Sequence, residues 1–139
     1  MKKIFRILVV TSMVIYAVFW FLPYFTYLWT TTEVLNLLSF NGYGRLVQFP
    51  VLVEWALLFT WLLVSIGLIT FNRSARNQFI VLNILSLVLI PLSGLIILSP
   101  MEALLFSIVG ILDGAIISMF YFSPVAQEFN KPLQTSIED

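Results

Sequence analysis

The sequence predicts an all-α membrane protein, a four-transmembrane-helix bundle with short loops, and three observations carry that expectation. Charged residues make up 10% of the chain, where soluble domains carry about a quarter. Hydrophobic residues reach 60% and the mean hydropathy is +1.02. The apolar residues also fall into four runs, each close to the roughly 20 residues that a helix needs to cross hydrocarbon.

The runs span residues 4–28, 51–71, 79–98 and 103–122 in a single domain. The first begins after Met1-Lys2-Lys3, which resembles the basic start of a signal peptide. It outruns a signal core of about 7–15 residues and ends among Pro23, Tyr24, Phe25, Tyr27 and Trp29 instead of small cleavable residues. Bulky aromatics there suit a membrane interface, so a retained helix is expected. Tyr16, Trp20 and Tyr24 recur every four residues on one face of it, which suits packing, a lipid tail, a quinone or a partner helix.

Residues 29–50 form an outer loop, in which Thr30-Thr31-Thr32-Glu33 has capping-box spacing ahead of Val34, Leu35, Leu37 and Leu38. The expectation there is a re-entry loop with a helical turn, or a short interfacial helix ending near Asn41-Gly42. Pro91 should kink the third helix, because it lacks a backbone donor. The fourth helix follows a break of only Ser99, Pro100, Met101 and Glu102. From residue 123 to 139 a frayed or peripheral cytoplasmic tail is expected, with Val125, Phe129 and Leu133 at helical spacing until Pro132 interrupts them.

Basic residues set the expected orientation. Lys2, Lys3, Arg6, Arg73, Arg76 and Lys131 would share one face, and Arg45 would lie on the other. The positive-inside rule then puts both termini in the cytoplasm and the protein in the cell (inner) membrane. The chain has no cysteine and no histidine. Disulfides, thiolate metal sites, imidazole ligation and Ser-His-Asp catalysis are thereby excluded. No cofactor, metal or nucleic-acid partner is expected, and no set of catalytic groups can be assembled.

Asp113 is the residue that asks for an explanation. It sits in mid-helix in the fourth run, where a carboxylate costs at least about 2.5–3.5 kcal/mol, so it should face the bundle interior or a wet cavity. Apart from Arg6 at the start of the first run, no Lys or Arg lies within any run, so a neutral carboxyl that donates one hydrogen bond is expected. Counting inward from the ends of the runs puts Tyr16, Thr60, Trp61 and Ser86 at similar depth. These five residues form the expected polar cluster, serving either as a clasp between helices or as a proton or cation relay.

Two further groups stand out. Ser107, Gly110, Gly114 and Ser118 recur at three and four along one face, a small-residue stripe expected to pack closely, preferably within the chain. Arg45, Glu54 and Glu102 are expected at the outer rim, the two acids offsetting helix dipoles or marking an entrance towards Asp113. The loops are too short to fold a soluble domain. The expected function is therefore helix–helix interaction, as an accessory or assembly subunit or an immunity-type protein, with a membrane-protein partner or a second copy beside it in the lipid bilayer. The alternative is a small proton- or cation-coupled transporter using Asp113.

Overall fold

The computed structural model describes residues 1–129, which form helices and connecting segments without a strand. Helix α1 runs over Lys2–Phe21, and Pro23 then tightens the chain into two 3₁₀ turns, Leu22–Tyr24 and Thr26–Leu28. Short α2 is Thr32–Leu38, α3 is Val51–Ile69 and α4 is Arg73–Leu89. Helix α5 is Pro100–Phe122, and a single turn, α6, covers Val125–Glu128.

Four helical stretches are long and apolar enough to cross a membrane: Lys2–Tyr24, Val51–Ile69, Arg73–Leu92 and Pro100–Phe122. The sequence expectation placed the third at 79–98, and its bounds differ most. Asn72 caps α4 by accepting a hydrogen bond from the Ser74 amide at 2.8 Å, so the helix begins six residues earlier, among its arginines. Pro91 ends this helix instead of kinking it. A 3₁₀ turn at Ile90–Leu92 follows α4, and residues 93–99 leave the helical path.

Those residues meet the loop between α2 and α3. The Gly42 amide donates to the Leu95 carbonyl at 2.7 Å, the Leu95 amide to the Tyr43 carbonyl at 2.9 Å, and the Leu46 amide to the Leu92 carbonyl at 3.1 Å. Gly94 permits this approach: its φ is +77°, and a Cβ there would lie 2.6 Å from both the Arg45 nitrogen and the Tyr43 oxygen. The α2–α3 and α4–α5 connections are thus tied together by backbone hydrogen bonds. Helix α2 forms, but without the side-chain cap that its Thr-rich start suggested.

Helix α1 packs between α5 and α3, and α4 covers the other side of α3. At the end carrying Lys2, Arg6, Arg73 and Arg76, phenylalanine rings interlock. Phe5 stacks on Phe71 with centroids 5.6 Å apart, and Phe120 meets Phe129 edge-on at 5.4 Å. Phe79 meets Phe120 edge-on at 6.1 Å, bringing α4 to α5. Such pairs contribute about 0.5–1.5 kcal/mol each beyond area burial.

The segment after α5 belongs to this plug. Val125 and Phe129 are buried, and Lys2 pairs with Glu128 at 2.8 Å. Of the frayed or peripheral tail expected, the frayed alternative fails over 123–129, because Phe129 fills a hole between Phe5, Phe71 and Phe120. Lys131, Pro132 and Leu133 lie outside the described residues.

Candidate functional site

Asp113 lies on the inward face of α5, above Ile116 and Phe120, and is 6% exposed. Its Oδ1 accepts a hydrogen bond from the buried Ser12 hydroxyl of α1 at 2.8 Å. Asn83 of α4 faces the same carboxyl; its amide also donates to the Phe79 carbonyl at 3.0 Å, which leaves a second N–H for Asp113. Tyr16 stands beside the carboxyl and stacks on Trp61 of α3, with centroids 4.1 Å apart. Each of the four long helices thus supplies a residue.

The structure brings Asp113, Tyr16 and Trp61 together from the expected cluster and leaves two members out. Thr60 is exposed and donates to the Ala56 carbonyl at 2.7 Å. Ser86 is exposed and donates to the Leu82 carbonyl at 2.9 Å. A hydroxyl can satisfy itself on its own helix in this way, so depth alone does not make it a partner. Ser12 and Asn83 occupy the places expected for Thr60 and Ser86.

A second carboxyl–hydroxyl contact joins α5 to the chain after α1. Glu102 is 5% exposed; its Oε2 accepts from the Ser99 amide at 2.6 Å, and its Oε1 lies 3.3 Å from the Thr26 hydroxyl, whose shorter hydrogen bond goes to the Leu22 carbonyl at 3.0 Å. Ser99 in turn accepts from the Glu102 amide, completing a capping box. Glu102 is therefore enclosed, where a rim position was expected. Glu102 and Asp113 share the inward face of α5, about 16 Å apart along the axis at 1.5 Å per residue.

A cavity of about 520 Å³ opens above Glu102, with Phe19, Trp20, Tyr24, Tyr27 and Glu54 also on its walls. Arg45 and Glu54 border a neighbouring cavity of about 280 Å³ without forming an ion pair. Among the described residues the one ion pair within 4 Å is Lys2–Glu128.

The small-residue stripe points away from the bundle. Ser107, Gly110, Gly114 and Ser118 are all exposed, and a Cβ added at either glycine would meet nothing within 4 Å. The expectation that this stripe packs within the chain is not met. Close approach occurs instead at Gly67 of α3, where an added Cβ would lie 2.6 Å from the Ala75 Cβ of α4. Inward-facing bulk explains the difference: α5 meets α1 through Val109, Asp113, Ile116 and Phe120, which puts its small residues on the far side.

Chemically, the central cluster can hold helices in register or accept and release a proton at one carboxyl. No group of three or more metal-ligating side chains occurs among the described residues. Ser12 and Thr26 were not singled out in the sequence. Their signal was the antiparallel pairing of α1 with α5, which sets Ser12 against Asp113 and Thr26 against Glu102. Comparison of the chain with protein-family models, with curated proteins and with solved structures found no match.

Proposed function

We propose that the chain is a multi-pass protein of the cell (inner) membrane, with both termini in the cytoplasm. It acts without enzymatic chemistry, through helix–helix association, as an accessory or assembly subunit or an immunity-type protein. The observation that carries this reading is the outward Ser107–Gly110–Gly114–Ser118 face of α5, open above both glycines. Small residues on an exposed helix face let a second backbone approach closely, which is how helices associate in lipid. The orientation rests on Lys2, Lys3, Arg6, Arg73 and Arg76 gathering at one end.

The absence of cysteine makes the test clean. Single substitutions Ser107→Cys and Ser118→Cys in native membranes should give a specific crosslink to one partner or to a second copy. Leu63→Cys, on the exposed side of α3, should not. Equal crosslinking from Leu63→Cys, or none from α5, would overturn the association. A reporter fused to the C-terminus and found active outside the cytoplasm would overturn the orientation.

A carrier coupled through Asp113 is the second reading, supported by the outer cavity reaching Glu102 on the same α5 face as Asp113. Asp113→Asn should then abolish pH-driven flux in liposomes while the fold persists. Flux that survives the substitution removes this reading.

A further inference from the structure

The outer cavity carries an inference independent of how α5 associates. Its volume of about 520 Å³ lies within the roughly 300–1,000 Å³ range of small-molecule sites. The walls combine aromatic rings from α1 and the turns after it, Phe19, Trp20, Tyr24 and Tyr27, with two carboxylates, Glu54 of α3 and Glu102 of α5. No basic residue lines it.

Charge selects the class of ligand. The Glu102 carboxyl is fixed by the Ser99 amide on Oε2, with Oε1 3.3 Å from the Thr26 hydroxyl. Glu54 is exposed and borders both cavities; Arg45 lines the neighbouring one with it but makes no ion pair within 4 Å. An anion would meet two carboxyl groups and no basic residue on these walls. A small metal cation would want several oxygen ligands, and no three-residue metal-binding group occurs among the described residues. An organic cation uses both features of the wall: its charge faces the carboxylates, and its apolar body lies on ring faces that attract positive charge.

We propose that this cavity is a binding site for a lipophilic organic cation, an amine or quaternary onium with an aromatic or alkyl body. Glu102 and Glu54 are its counter-charges, and Trp20, Tyr24 and Tyr27 are its walls.

The test uses the full chain in nanodiscs and two probes of matched shape and opposite charge, tetraphenylphosphonium and tetraphenylborate. Calorimetry, with empty nanodiscs subtracted, should show saturable one-to-one binding of the phosphonium and none of the borate. Glu102→Gln should weaken that binding about tenfold, and Trp20→Leu and Glu54→Gln by about three- to tenfold. Because Glu102 also caps α5, Glu54→Gln and Tyr24→Leu are the controls, as both side chains are exposed and neither bonds to another element. Binding of both probes alike, binding of neither, or phosphonium binding unchanged in Glu54→Gln and Glu102→Gln would each overturn the proposal.

Discussion

The two ends of the bundle use aromatic residues in opposite ways. At the basic end, Phe5, Phe71, Phe79, Phe120 and Phe129 touch one another and shut the interior, and Arg6 lies over the Phe71 ring at 5.1 Å. At the other end Trp20, Tyr24 and Tyr27 line an open space. The same residue class makes a plug where it meets its own kind from five segments. It makes a wall where α1 tapers into 3₁₀ turns and faces Glu54 of α3 and Glu102 of α5 across a cavity. Rigidity and access are therefore separated along the bundle axis, with the Asp113 cluster between them.

Four experiments with six substitutions probe that contrast, in falling order of expected effect. Phe5→Ala should lower stability by about 3 kcal/mol, the order found for large-to-small changes in packed cores, whereas Tyr24→Ala should stay within about 0.5 kcal/mol. Thermal unfolding in detergent followed by circular dichroism compares the two. Equal losses would mean that the ends are equally packed.

Gly94→Ala comes next, at about 2 kcal/mol, because it forces a side chain at positive φ into the Arg45 and Tyr43 backbone. The damage should be confined to the outer end. Hydrogen exchange should speed at Gly42, Leu46 and Leu95 while α3 near Leu68 stays protected; uniform acceleration would show that the ends are not separable.

Asp113→Leu should cost about 1 kcal/mol, since it leaves the buried Ser12 hydroxyl without its acceptor. Asp113→Asn keeps an acceptor and should cost less than about half of that. An equal loss from both in chemical denaturation would point to charge instead of hydrogen bonding. Gly110→Ala should have the smallest effect. With open space around it and a better helix former in place, unfolding should shift by at most about +1 kcal/mol towards stability. Destabilisation would show that the outer face of α5 already has a neighbour in the preparation.

The four long helices were legible in the sequence because length and hydropathy act locally. Tyr16 and Trp61 were legible beside Asp113; its hydrogen-bond partners Ser12 and Asn83 were not, and one error accounts for both misses. Runs placed at 4–28 and 79–98 have their centres at Tyr16 and near Val88, within a turn of Ser86. The observed stretches, Lys2–Tyr24 and Arg73–Leu92, have theirs near Met13 and Asn83. Hydropathy excludes the arginines that begin α4 and includes the extended residues 93–99, so the estimated midplane slid along both helices. The direction of the α5 stripe was hidden for another reason. Periodicity shows that four small residues share a face, but only the neighbours decide which face turns inward.

The pairing of α1 with α5 has a consequence for how the molecule is made. Helix α1 depends for its chief partner on α5, which is made only after α2, α3 and α4, and Phe5 waits for Phe129. Contacts so distant in sequence form late. While the ribosome is still working, the Ser12 hydroxyl has no carboxyl to meet, and the α3–α4 hairpin must hold as the nascent core. Biogenesis thus passes through a stage in which three helices are in place with an unsealed flank, the stage at which an insertion factor or a chaperone would find the most to grip.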